Sequence, residues 1–270
     1  MSTTVAQKVN GQDCLILKLP VEVFSSIIGL AIEAESCKSS NDQFARLRTA
    51  EFEGTAPFKK LELDKFGLPS KVLEALVRWP KELHALSCHP TISQIDSREW
   101  TWDILQPIFN IHMASLRELH IYDLYLEDHI ELADLTGFTM LERLILPAKL
   151  TGLDKRYIPC IIAPNLQFFK WQVEYEDGDQ RIIDEEHEEW VRAVVEFAAK
   201  QQQKLKTIFI DVGYSSWELL GSVSVYPWDL LNDIDRDSER FGIRIRYDEP
   251  DISREEFEVV VHEDPDDNFD

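Results

Sequence analysis

Asp233-x-Asp235-x-Asp237 sets three carboxylates at alternate positions, as the opening of a calcium-binding loop does. The pattern then fails, because Ser238 stands where the sharp turn needs glycine and Arg244 where a bidentate glutamate would close the site. A solvated helix face is the plainer expectation. Cys88 and His89 are adjacent rather than spaced for zinc, and His84 does not complete a site. His112, His120, His129 and His187 form no cluster with ligand spacing and read as ordinary surface or core histidines. The chain holds no Gly-x-Gly-x-x-Gly, no Walker lysine loop, no Gly-x-Ser-x-Gly elbow and no His-Glu-x-x-His. Among 50 acidic residues, a pair of carboxylates cannot by itself nominate a general acid and base. The expectation is a protein without catalytic residues, metal or cofactor.

Charge narrows the partners. With 28 basic residues against 50 acidic ones the net charge is −22, and the basic residues do not cluster along the sequence, which argues against nucleic acid. Residues 174–190 hold nine acids and one base, and residues 248–270 hold eleven acids and one base, so these two windows supply 18 of the 22 excess charges. The body is near neutral, with one acidic insertion and one acidic end, both expected as solvated surface. Cys14, Cys37, Cys88 and Cys160 are too scattered for a disulfide scaffold and suit a reducing compartment. Met1 to Pro20 lacks a basic stretch followed by an apolar core, and no run approaches the roughly 18 apolar residues of a membrane span. The expected setting is cytoplasm or nucleus, away from membranes.

The elements that would position any site come from a repeat. The pattern apolar-x-x-apolar-x-apolar recurs as Phe58-x-x-Leu61-x-Leu63, Leu83-x-x-Leu86-x-Cys88, Leu116-x-x-Leu119-x-Ile121, Leu141-x-x-Leu144-x-Leu146, Leu166-x-x-Phe169-x-Trp171 and Leu205-x-x-Ile208-x-Ile210. Successive offsets are 25, 33, 25, 25 and 39 residues. The steps of 25 fall in the window of about 20–29 residues of leucine-rich repeats, and the longer steps read as repeats with insertions. Within each hexad the last two apolar positions are two apart, as a strand with one buried face requires.

Between hexads the period becomes helical. Ser70 is expected to cap a helix carrying Leu73, Leu76 and Val77, which Pro80 stops. Trp190, Val191, Val194, Val195 and Ala198 form one helical stripe behind the acidic turn Asp184-Glu185-Glu186. Pro227 opens a helix through Leu230, Leu231, Ile234 and Phe241, Gly242 caps it, and Ile243-x-Ile245-x-Tyr247 reads as a closing strand. The expected fold class is α/β: a leucine-rich-repeat-like solenoid of parallel strands and helices, with the N-terminal helical segment as its cap.

That N-terminal segment is the most specific part of the chain. Leu19-Pro20-Val21-Glu22-Val23-Phe24-Ser25-Ser26-Ile27-Ile28-Gly29-Leu30 starts with proline where a helix accepts it and continues with helical apolar spacing. It resembles the start of an F-box. Farther on, Leu76-Val77-Arg78-Trp79-Pro80, Ala163-Pro164-Asn165-Leu166, Glu189-Trp190-Val191, Tyr226-Pro227-Trp228-Asp229 and Tyr247-Asp248-Glu249-Pro250 resemble the body of fungal-type F-box proteins with degenerate leucine-rich repeats. The second half of the F-box departs from the pattern, keeping only Phe44, Leu47, Arg48 and Phe52. The implied division is a short F-box-like helical segment at 15–52, a repeat body at 53–250 and an acidic tail at 251–270.

The resemblance implies a substrate receptor of a Skp–cullin–F-box ubiquitin ligase. Leu19, Pro20, Glu22, Phe24, Ile27, Ile28 and Leu30 would meet the Skp-family adaptor, and through it a cullin, while the repeats hold a protein substrate. The other expectation is a stand-alone leucine-rich interaction module whose F-box has decayed. Strand alternation sends Glu62, Ser87, His120, Ile145, Lys170 and Phe209 to the face away from the core, as a substrate-binding ladder on the concave side. That ladder carries no basic cluster, which argues against a phosphorylated ligand.

Overall fold

The structure is a computed structural model and describes residues 7–9, 12–14, 52–67, 69–90, 100–122, 132–173, 183–212, 226–248 and 253–262. Near the N-terminus, β1 (Gln7–Val9) and β2 (Gln12–Cys14) pair antiparallel. The F-box-like segment lies outside the described residues except for its last position, Phe52, which packs on the core.

The hexads become strands. β3 (Lys60–Phe66), β4 (Ala85–Pro90), β5 (Glu118–Ile121), β6 (Arg143–Pro147), β7 (Phe168–Val173), β8 (Thr207–Val212) and β9 (Arg244–Tyr247) form one seven-stranded sheet, in chain order. Every neighbouring pair is parallel. Leu61, Leu86, Leu119, Leu144, Phe169 and Ile208 face their neighbours in turn, so the same hexad position sets the register from β3 to β8, and Ile245 continues the row on β9. The entry to each strand repeats too. At the entry of β4 to β8, two successive amides bond the carbonyl just before the preceding strand: His84 and Ala85 to Lys59, Arg117 and Glu118 to His84, Glu142 and Arg143 to Arg117, Gln167 and Phe168 to Glu142, and Lys206 and Thr207 to Gln167.

Parallel neighbours need crossovers, and helices supply most of them. α1 (Ser70–Arg78), α2 (Trp102–Asn110), α3 (Ile158–Ile161), α4 (Glu185–Lys200) and α5 (Pro227–Ser238) bury their apolar stripes on the sheet face that carries the hexad residues. The fold is therefore α/β, with a single core running along the sheet. Within it Trp171 of β7 stacks on Trp190 of α4, ring centroids 4.6 Å apart, with Phe169 and His187 beside them. Among the described residues no helix is long and apolar enough to cross a membrane.

Several local expectations need correcting. Pro69, not Ser70, is the N-cap of α1, and Ser70 is its buried first residue. A capping serine must stay extended before the helix, and proline's fixed φ makes Pro69 the natural last extended residue instead. At α4 the acidic insertion ends as a cap: the Asp184 carboxylate accepts the backbone N–H of Glu186 and of His187 at 2.9 and 3.1 Å. Gly242 closes the last helical turn at φ +72°, where nothing would touch a Cβ and only the backbone conformation asks for glycine. Phe241, expected on the buried stripe, is exposed.

The acidic tail opens with a further helix, α6 (Arg254–His262). Phe257 is buried against the Tyr226 ring, 5.3 Å between centroids, and Arg254 pairs with Asp229 at 3.0 Å. The packed body thus extends past residue 250.

Candidate interaction face

Strand parity divides each hexad. Leu61 and Leu63 point to the helices, and Glu62 between them points away. The same division holds on every strand, and the register lines up the expected ladder: Glu62 opposite Ser87, Ser87 opposite His120, His120 opposite Ile145, Ile145 opposite Lys170 and Lys170 opposite Phe209. One further rung, Arg246 of β9, stands opposite Phe209. Sequence reasoning stopped one strand short, although the alternation Ile243-x-Ile245-x-Tyr247 already contained the signal. At the usual spacing of about 4.8 Å between strands, the seven rungs form a line about 29 Å long.

A second row lies two residues earlier on the same face: Lys60, Ala85, Glu118, Arg143, Phe168, Thr207 and Arg244. Together the rows give the face two chemically different halves. On β3 to β5, charges answer each other, with Lys60 and Glu62 2.7 Å apart and His89 within 3.2 Å of Asp64. On β6 to β9, cations lie over rings. The Arg143 guanidinium sits 4.4 Å from the centre of Phe168. The Lys170 ammonium is 5.1 Å from the centre of Phe209 and 2.6 Å from the Asp211 carboxylate. Ile145, at the start of the second half, is buried yet stands apart from the main core.

His120 is the third rung of the ladder and its histidine. Burial lowers its pKa below the ordinary imidazole value of 6.5, Arg143 and Lys60 push the same way, and Glu118 and Glu62 oppose them. Its Nε2 is buried without a hydrogen-bond partner among the described residues, which suits a neutral ring. A histidine held below its unfolded pKa binds fewer protons folded than unfolded, so acidification destabilises the fold. The penalty is absent above pH 6.5 and complete below the folded pKa. We expect thermal stability to fall as the pH drops below 6.5, and to fall less in His120→Gln. Parallel melting curves for the two proteins across that range would refute this assignment.

Parity also answers the Cys88-His89 question. Cys88 points into the core, where burial pushes its thiol up to about 12, whereas His89 points outward to Asp64. Neighbouring residues of one strand on opposite faces cannot act as a nucleophile and its base. The carboxylates of Asp233-x-Asp235-x-Asp237 serve the fold rather than solvent alone: Asp235 bonds Arg244 and the backbone N–H of Ile245, and Asp237 pairs with Arg192. Among the described residues no group of histidine, cysteine and acidic side chains could hold a metal ion.

The adaptor-facing candidates Leu19, Pro20, Glu22, Phe24, Ile27, Ile28 and Leu30 lie outside the described residues. Comparison with family models, with curated proteins and with solved structures finds no match for this chain.

Proposed function

We propose that the chain is a recruitment module: a substrate receptor of a Skp–cullin–F-box ubiquitin ligase, built as a leucine-rich-repeat-like solenoid behind a short F-box. The observation that carries this reading is the in-register row from Glu62 to Arg246, which offers a mixed polar, aromatic and cationic face on the side opposite the helices. A repeat sheet with one face buried under helices leaves its other face to bind partners. The Leu19-Pro20 start of the F-box supplies the link to the adaptor. The protein then acts by holding a substrate near a ligase and makes or breaks no bond itself.

Co-expression with a Skp-family adaptor tests the proposal. A 1:1 complex is expected on size-exclusion chromatography, and the double variant Leu19→Ala, Pro20→Ala is expected to lose it. A folded wild-type chain that elutes without adaptor sinks the ligase reading. It would leave the stand-alone interaction module, which the reduced second half of the F-box, with only Phe44, Leu47, Arg48 and Phe52 in place, already favours as the second reading.

A further inference from the structure

Basic residues that are scattered in the sequence meet on the sheet. Arg143 of β6 and Arg246 of β9 are both exposed, and neither has a carboxylate partner among the described residues. Between them lie Phe168, Lys170 and Phe209, with Asp211 beside Lys170 as an acid of the patch. Glu118 of β5 stands opposite Arg143 at the rim, so among the described residues three cations meet two acids here, still a reversal of sign in a chain of net charge −22. An arginine stacked on a ring keeps the edge of its guanidinium open for a bidentate carboxylate, and Arg143 on Phe168 has this arrangement.

We propose that this patch binds an extended acidic segment of a partner protein, carrying two carboxylates four residues apart and an apolar side chain between them. The spacing follows from the sheet. Three strand intervals separate β6 from β9, and Arg246 lies one rung farther along the strand direction than Arg143, so their backbones are about 16 Å apart. Four residues of extended chain cover about 14 Å, and the long arginine side chains make up the difference. The apolar residue then lies over Phe168 and Phe209. Nucleic acid fits less well, since a regular run of phosphates would meet the repulsion of the whole acidic chain beyond the patch. The inference rests on the reading of this face as the recruiting surface and does not involve the adaptor segment.

The test is fluorescence anisotropy with the full chain and a labelled ten-residue peptide bearing two glutamates four apart with a leucine between them. Binding is expected, and should weaken at least about tenfold in Arg143→Glu, Arg246→Glu and in about 0.5 M salt. Lys60→Glu, on the other half of the same face, should change it less than about twofold, since surface charges three strands away are largely screened. Both arginines are exposed, so an unchanged melting temperature in the double variant will separate lost binding from lost folding. Equal binding of a peptide with lysines in place of the glutamates would overturn the proposal, as would full affinity in the double variant. Tighter binding of a ten-nucleotide thymidine strand would assign the patch to nucleic acid. Self-association that the double variant abolishes would assign it to a second copy, and peptide binding seen only after removal of residues 263–270 would assign it to the chain's own acidic end. Each of these three outcomes rejects a partner peptide. Loss of adaptor co-elution bears on none of them, so the two proposals fail separately.

Discussion

Trp190→Ala is expected to destabilise the protein by about 3–5 kcal/mol, lowering its melting temperature by roughly 10 °C. Trp190 is 1% exposed and stacks on Trp171, with rings 4.6 Å apart and 25° from parallel. Trp171 is itself fully buried and donates its Nε1–H to Thr151 Oγ1 at 2.9 Å, so it is fixed from the other side and cannot follow a shrinking neighbour. A cavity left between a fixed tryptophan and the α4 backbone collapses poorly, which places the cost at the high end for an aromatic truncation. Trp190→Phe sharpens the prediction. The Trp190 Nε1–H is buried without a partner among the described residues, and phenylalanine removes that unsatisfied donor while keeping most of the ring. Its cost should be under about 2 kcal/mol. A shift of less than about 2 °C in Trp190→Ala would show that the stack does not hold α4 to the sheet.

The sheet could be read from the sequence because its signal is local. Each hexad carries its own buried pair two residues apart, and parallel pairing in chain order needs no long-range information beyond the repeat itself. Leu61, Leu86 and Leu119 face one another because they occupy the same hexad position. The caps were harder. Pro69 and Ser70 are both plausible helix starts by residue type, and the choice depends on where α1 must begin to bury Val72 and Leu73. Asp235 was harder still, since its partner is ten residues away on a strand that the helix must first fold back to reach.

The outward ladder was legible in part for the same reason. Alternation gave six rungs of the ladder. Its charge did not follow, because Arg143, Lys170 and Arg246 are separated by 27 and 76 residues in the chain and become neighbours only across strands. A search for basic runs along the sequence finds none, and the two acidic windows at 174–190 and 248–270 mask the patch in any overall charge. The signal was in the row two residues before the ladder, which places Arg143 beside Phe168, and a sum taken across the register rather than along the chain would have found it.

Asp235→Ala is expected to open the last strand before the rest of the sheet. Among the described residues β9 is the edge strand, paired to β8. Edge amides need a partner or they invite another chain. Asp235 on α5 provides one, its Oδ1 accepting the Ile245 N–H at 2.8 Å while its Oδ2 accepts from Arg244 at 2.8 Å. Ile245 is 1% exposed, so water does not readily replace the carboxylate, and the Arg244 Nε is already buried without a partner among the described residues. Removing the acceptor should cost about 1–3 kcal/mol, the range for stranding a buried donor. The loss should be local, because β9 is held by one neighbour whereas β6 is held by two. Hydrogen exchange is the suitable measurement: the amides of Ile245 and of Arg244, which bonds the Lys206 carbonyl, should exchange faster in the variant than in the wild type, while Leu144 and Leu146 of β6 should change much less. Asp235→Asn keeps one acceptor oxygen and should retain most of the protection. Uniform acceleration across both strands would mean that β9 opens only with the whole sheet, and then Asp235 is one contact among many rather than the closure of an edge.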